Sequence, residues 1–496
     1  MAWSSAFLAA LGSRHYRPTF LLEVVGSPVA GQADAFASHP SLGPDALAGL
    51  PRVGGSSIVP ISWRPAYGTW SVTVQGGAIA RAVALLPRGA VVRLLMGAAG
   101  LDRASMEPVA LGIVRKLSGT PGAVTVECGD LLSGLTCRWS TTVSTGDLFY
   151  AVATSTTVAS DYTAGNSTLV LTDASVLQRR SGGTGAVYVE PTVGDPFYLT
   201  YTGVSTNTLT GVSSTGAFGS TAVNAAASST VRNAAYLYGH PCDIVRHVLL
   251  SGSGTTDYDV LPDSWGFAIP EDLVDIEDIE DWKDRLAVSS GTYSWDLVTT
   301  AKQPTGLSWL QTYLSNAGIW LACRQGRITV RSALDISSTR DMEETITEDD
   351  VAGAWSWEWP DPQIALEYRK VRVQAGSTTY DIAGASLETL PAQDWATYDL
   401  SDQVFDNETA TCTETCRRLA PWATKLPEVV TLPCRGWRLA GLCPGDPVRL
   451  DLPRLAGQLT GRSTSYDSWP ATVVSVSPDF SRHQTTLRVW PDRESL

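Results

Sequence analysis

Charge is scarce in this chain, and in one place it is absent. Lys, Arg, Asp and Glu make up 17% of the 496 residues, and none occurs in the 36 residues 196–231, PFYLTYTGVSTNTLTGVSSTGAFGSTAVNAAASSTV. Long apolar runs are missing as well. The greasiest region, Ala78 to Leu101, is broken by Arg81, Pro87, Arg88 and Arg93, so no segment reaches the roughly 18–20 residues of a membrane-spanning helix. No polybasic run is present to hold an anionic membrane surface. The opening MAWSSAFLAALGSRHYRP has no basic n-region, and its apolar run is too short for an export signal. Eight cysteines are too few for a disulfide scaffold and are expected as reduced thiols. No Walker loop, G-x-S-x-G elbow, HExxH or EF-hand loop occurs. With only five histidines (His15, His39, His240, His247 and His483), nothing points to a Ser/His/Asp triad, and no catalytic residue is assigned.

What the chain does have is enough apolar material for several cores. Hydrophobic residues make up 44%, and the length suggests three or four domains of about 100–150 residues. The net charge of −14 repels phosphate, so no stable nucleic-acid binding is expected.

Residues 2–11 read as a short helix and Phe20–Val25 as a strand, while 27–56, rich in Gly, Pro, Ser and Ala, reads as a loop. Strands follow at Trp70–Val74, Ala90–Met96, Val109–Leu117 and Ala123–Cys128, separated by Gly and Pro. In the charge-poor region, 167–173, 186–190, 196–203 and 207–212 carry β-branched and aromatic residues between Gly, Asn and Asp turns. That density favours a folded β module over a Ser/Thr linker or a fibril-forming segment. DIVRHVLL places Ile244, Val245, Val248 and Leu249 on one helical face, with Pro241 suited to the first helical position. A helix is expected at 307–318, ending at Gly318, followed by a hairpin turning at Gln325-Gly326. In the last third, strands are expected at Lys370–Gln374, Glu428–Leu432, Val448–Leu450 and Ala471–Val476, with a helix at 407–420.

Two stretches echo each other. Gly89-Ala-Val-Val-Arg-Leu94 and Gly445-Asp-Pro-Val-Arg-Leu450 share G-x-x-V-R-L, and an apolar strand follows each, LGIVRKLS (111–118) and ATVVSVSP (471–478). The echo is either chance or the mark of two related β-barrels, one near each end.

Three groups of residues can be weighed for chemistry. If the charge-poor module is an insertion, its ends lie together, bringing Cys128 and Cys137 near His240 and Cys242. Such thiolates can hold zinc or an iron–sulfur cluster, although the spacing matches no metal signature and ordinary buried thiols are the plainer reading. Cys412, Cys416, Cys434 and Cys443 read as packing. The acidic run 271–284 (Asp272, Asp275, Glu277, Asp278, Glu280, Asp284) would serve a glycosidase only with two carboxylates across a sugar cleft; a solvated face or a subunit contact is simpler. Trp355, Trp357 and Trp359 alternate along a strand, as a sugar platform or, more simply, as core or a subunit interface.

GDPFYLTYTGVSTNTLTGVSSTGAFGSTA (194–222) resembles a β module recurrent in tailed-bacteriophage tail proteins, with Asn224 near where a His is common. HPCDIVRHVLL (240–250) resembles a helix of phage tail hubs, and Gln325-Gly326-Arg327 and the strand Pro444 to Leu450 resemble that helix's usual sequel. The opening SSAFLAAL…RPTFLLEV is also similar to tail protein openings. The resemblance implies a mainly β, multidomain fold with minor α. It comprises a tail-tube-like β-barrel (1–139), an inserted small β domain (140–238), an α+β middle domain (239–355) and a second tube-like barrel (356–496). It implies a structural, non-enzymatic hub in the virion, assembled in the host cytoplasm as a homotrimer with an acidic lumen for DNA passage. The implied partners are the tail tube or distal tail protein, a central tip or fibre protein, and through the module a neighbouring protein or host glycan. A glycan hydrolase or carbohydrate-binding tail protein is the alternative.

Overall fold

The computed structural model describes residues 18–25, 35–37, 47–59, 64–66, 68–76, 89–98, 102–134, 155–177, 185–217, 220–250, 269–286, 295–299, 318–332, 342–358, 368–375, 378–383, 396–400, 429–456 and 465–491, together with residues 7, 83, 84, 86, 267, 310, 311, 314, 315, 415 and 418. Strands dominate. The first nine are β1 Pro18–Val25, β2 Ala35–Ala37, β3 Leu47–Val53, β4 Ser56–Val59, β5 Arg64–Ala66, β6 Thr69–Gln75, β7 Val91–Ala98, β8 Glu107–Thr120 and β9 Ala123–Asp130. Seven of them form an antiparallel sheet in the order β2-β1-β7-β8-β9-β6-β3. Alternation drives it: TWSVTVQ buries Trp70, Val72 and Val74 and turns Ser71 and Thr73 to the other face. These side chains meet Phe20, Leu22, Leu94, Met96, Val126 and Cys128 in one core.

The expected loop at 27–56 is corrected by β2 and β3. Pro51 masks β3 in the sequence. The strand tolerates it by lying at the sheet edge, with its register against β6 shifted between Ala48 and Arg52.

The charge-poor region folds as β strands. They are β10 Ser155–Thr157, β11 Thr168–Val170, β12 Gly185–Glu190, β13 Phe197–Tyr201, β14 Gly203–Ser205, β15 Thr208–Thr210 and β16 Thr230–Gly239. Two sheets, β10-β16-β12-β13 and β11-β15-β14, enclose Val187, Val189, Phe197, Leu199, Tyr201 and Leu209. Neutral side chains satisfy the backbone between the sheets. The amide of Thr200 donates to Ser213 Oγ at 2.9 Å and that of Tyr198 to Ser220 Oγ at 2.8 Å. Asn207 Nδ2 donates to the Thr172 carbonyl at 3.0 Å, and its Oδ1 accepts from the Ala174 amide at 3.2 Å. Asn224 Oδ1 accepts from the Ala164 amide at 2.9 Å.

The second half of β16 pairs with β17, Trp295–Thr299, and the chain then enters α1, Pro241–Leu250. As its pattern requires, α1 buries Ile244, Val245, Val248 and Leu249. Its other side ties to α2, Ile276–Arg285, through Lys283 to Asp243 at 2.9 Å and through an Arg246–Glu280 ion pair. The hairpin β18 Ile319–Arg324 and β19 Arg327–Ser332 turns at Gln325 (φ 48°) and Gly326 (φ 75°), both left-handed as a two-residue hairpin of this type demands. Of the helices expected at 2–11, 307–318 and 407–420, residues 7, 310, 311, 314, 315, 415 and 418 are helical and Gly318 forms a turn; the rest, with Cys412 and Cys416, lies outside the described residues.

The remaining strands are β20 Glu344–Thr347, β21 Ser356–Glu358, β22 Tyr368–Ala375, β23 Thr378–Ala383, β24 Ala396–Leu400, β25 Val429–Arg435, β26 Pro447–Ala456, β27 Ser465–Asp479 and β28 Gln484–Pro491. β22, β23 and β24 form their own small sheet. The main sheet runs β20-β26-β27-β28-β25-β21. One segment closes it: β20 pairs with β26, while Val351 just beyond pairs with Cys434 of β25. Ile346, Leu432, Val448, Leu450, Val473 and Val489 fill this second barrel-like core.

The sequence echo is a structural repeat. In the first unit β6 pairs β9, β9 pairs β8 and β8 pairs β7; in the last, β25 pairs β28, β28 pairs β27 and β27 pairs β26. The correspondence extends to single bonds. The Gly89 amide donates to the Val114 carbonyl at 3.1 Å, and the Val114 amide to the Ala90 carbonyl at 2.9 Å. Gly445, Val473 and Asp446 repeat the pair at 2.8 and 3.0 Å. The register steps after Val114 against β9 and after Val473 against β28, placing a bulge at the same point of each unit. The units are also fused. β4 pairs with β27 (Ser57 opposite Ser475), and Trp437 and Phe480 pack in the first core.

Candidate functional site

The β18–β19 hairpin stands where the two β units and α2 meet. An isolated hairpin would leave one face in water, yet Ile328, Thr329, Val330, Arg331 and Ser332 are all buried. Leu321, Ile328 and Val330 occupy one face. Trp320, paired in register with Arg331, lies on the other, and its Nε1 donates to the Pro444 carbonyl at 3.3 Å.

On that second face is a chain of buried charges. Arg331 Nε donates to Asp446 Oδ1 at 2.7 Å, and its Nη1 to Asp278 Oδ2 at 2.5 Å. Arg324 joins Asp278 Oδ1 and Glu343 Oε2, each at 2.8 Å. Thr329 Oγ1 donates to Asp278, and Arg285 reaches Glu343 at 3.2 Å. Asp446 Oδ2 accepts from the Cys443 amide at 2.7 Å, and the Arg331 guanidinium lies 5.1 Å from the centre of the Trp282 ring. Three guanidiniums thus face three carboxylates. Burial alone would raise the Asp278 carboxyl, but Arg331 and Arg324 bring it down to about 2. Glu343 is likewise held below the usual carboxylate range, its burial outweighed by Arg324 and Arg331. The arrangement neutralises itself and ties α2, the hairpin and the β25–β26 connection into one joint.

The tip of the hairpin rests on the first unit. A Cβ on Gly326 would touch Pro108 and Leu111 of β8 at 3.3 Å. Nearby, Cys323 Sγ donates to Asp130 Oδ1 at 3.1 Å beside a cavity of about 90 Å³ lined by Trp70, Asp130, Cys323 and Leu442. Burial raises the Asp130 carboxyl despite bonds from Cys323 and the Leu132 amide.

The residues singled out in the sequence lie as follows. Cys128 is in the first core, and Cys242 is buried at the start of α1. Burial pushes both thiols well up. His240 Nδ1 accepts from the Cys242 amide at 3.2 Å, and burial lowers the imidazole to about 4. Cys137 lies outside the described residues. Among the described residues no three His, Cys, Asp or Glu side chains are grouped so as to hold a metal ion. In the acidic run, Asp275 caps α2 and Asp278 belongs to the charged joint, whereas Asp272, Glu277 and Asp284 are exposed. Trp355 packs against the second core, Trp357 is 42% exposed, and Trp359 lies outside the described residues. Cys434 and Cys443 are buried, as their reading as packing requires. Sequence reasoning missed Arg324, Arg331, Glu343 and Asp446. Alternation in RITVRS sets Arg331 on the face opposite Ile328 and Val330, so nothing local in the sequence marks it as buried.

No family model matches the chain, and no curated protein does. Solved structures similar to it include a tail protein from Neisseria meningitidis MC58, at 10% identity over 96% of this chain and 97% of that one, with a TM-score of 0.41. The 43 kDa tail protein of prophage MuSo2 from Shewanella oneidensis is 8% identical over 95% and 96%, with a TM-score of 0.37. A chain of the virion of a native gene transfer agent particle is 14% identical over 46% of this chain and 84% of that one, with a TM-score of 0.19.

Proposed function

We propose that the chain is a structural hub of a bacteriophage tail, working in the virion after assembly in the host cytoplasm. Three copies form a ring joining the tail tube or distal tail ring to the central tip or fibre. The observation that carries this reading is the repeat: equivalent β units at both ends of one chain, fused through β4–β27 pairing and a shared core. Three copies with two units each make a ring of six quasi-equivalent parts, which matches a six-fold tube. The stretches that resemble tail proteins support it too. The 194–222 motif forms β13–β15, 240–250 forms α1, and Gln325-Gly326 and Pro444–Asp446 are the turns that build the joint. The role is mechanical. Asp278 has both oxygens engaged by guanidiniums, so it is a strut rather than a base.

Three copies triple the net charge of −14, and a lumen of that sign rejects phosphate and lets DNA pass without binding. The inserted module reaches outward to a neighbouring protein or a host glycan. Sedimentation equilibrium of the purified chain and electron microscopy of tails carrying a tagged copy test the reading. A trimer mass and a ring at the distal tail are expected. A chain that stays monomeric and is absent from purified tails would overturn it.

A further inference from the structure

One cleft of this acidic chain has the opposite sign. It encloses about 280 Å³, and its walls include Glu23, Arg93, Leu95, Arg103, Met106 and Arg327. Three separate elements supply the guanidiniums: β7 gives Arg93, the 3₁₀ turn Arg103–Ser105 gives Arg103, and β19 gives Arg327. A single lining carboxylate serves two of them. Glu23 lies 3.7 Å from Arg93 and is paired with Arg103. Arg93 also reaches the exposed Asp272 at 3.7 Å. The Arg327 guanidinium meets no carboxylate among the described residues. Leu95 and Met106 line the cleft and pack beneath it on the buried Leu21.

We propose that this cleft receives an acidic side chain from a segment of another protein. Guanidinium forks bind carboxylates bidentately, and the small apolar surface left by Leu95 and Met106 suits the methylene stem. Nucleic acid fits less well. A phosphate backbone needs an extended basic stripe, whereas this is a single compact cleft with Glu23 in its wall, on a chain of net charge −14. The assignment goes beyond the hub reading and does not depend on it.

The test uses the full chain and a fluorescein-labelled hexapeptide alternating Glu and Leu, against its Gln/Leu twin. The Glu peptide is expected to bind about tenfold tighter, and the preference to shrink as salt rises. Arg327→Gln should remove most of it. Arg482→Gln, at an exposed turn, should change nothing. If Arg327→Gln loses its circular dichroism signature, Arg103→Gln, at a partly exposed site, takes its place. Equal binding of the twins, or wild-type binding by both variants, overturns the proposal. So does tighter binding of a single-stranded 20-mer or displacement by inorganic phosphate. Self-association lost in Arg327→Gln would assign the cleft to a second copy and overturn the assignment to another protein.

Discussion

Phe20 and Phe480 meet edge to face, ring centroids 5.1 Å apart, with nearly the whole chain between them in sequence. Phe480 follows β27 in the last unit, yet its ring sits in the core of the first, beside Trp437. The two units therefore share a core. Phe480→Ala should cost about 3–5 kcal/mol by removing buried ring and leaving a cavity. The loss should appear in both units. Hydrogen exchange is expected to rise together in peptides covering β7 and β26, and a rise confined to one of the two would show independent cores.

The share of this architecture that was legible in the sequence is the share set by local pattern. TWSVTVQ could be placed as a strand because its alternation matches a half-buried sheet, VVRLLM because it is a short apolar run rich in β-branched residues, and the G-x-x-V-R-L echo marked equivalent strand starts. Pro51 hid β3, because an edge position that excuses a proline is a property of the sheet and not of the strand. The charged joint was hidden for a similar reason. Arg324 and Arg331 lie in a hairpin that alone would expose one face, and Asp278 sits in an acidic run that alone would be solvated. Only the packing of α2 and the last unit against the hairpin buries them.

That burial has an acid signature. Asp278 is held at about 2 when folded, against an unfolded value near 3.8. A depressed carboxyl contributes stability that is present above the unfolded pKa and is lost as pH falls through the folded one. The chain should therefore lose about 2 kcal/mol between roughly pH 4 and pH 2 from this group. Asp278→Asn, which leaves two buried guanidiniums short of a partner, should cost about 3–5 kcal/mol at neutral pH and flatten that limb. Urea midpoints across the acid range measure both.

Asp130 is the opposite case. Burial raises its folded carboxyl above the ordinary 3.8, so the folded state holds its proton longer than the unfolded one. Its contribution is complete below about pH 4 and declines as pH rises toward the folded value. Asp130→Asn keeps an oxygen to accept from Cys323 and the Leu132 amide. The variant should be as stable as the parent or more so at neutral pH, and the decline above about pH 4 should vanish. A melting temperature that falls only above about pH 4 would show that the ionised carboxylate is what this site requires.

Gly89 and Gly445 occupy equivalent places in the two units, both with left-handed backbone (φ 89° and 105°), so replacing each by Ala separates strain from crowding. At Gly89 nothing lies within 4 Å of a new Cβ, and the cost is the conformational one, about 1–2 kcal/mol. At Gly445 the same Cβ would stand 2.7 Å from the Trp320 ring and 2.8 Å from Arg331 Cβ. Overpacking there adds about 1–3 kcal/mol. It also pushes the turn away from Arg331 just where Asp446 must meet it. Gly445→Ala should therefore melt lower than Gly89→Ala and lose part of the acid-sensitive stability as well, because the second effect runs through the charged joint. Equal melting of the two variants would mean that the Pro444–Asp446 turn yields without disturbing the hairpin, and that the joint is softer than its short contacts imply.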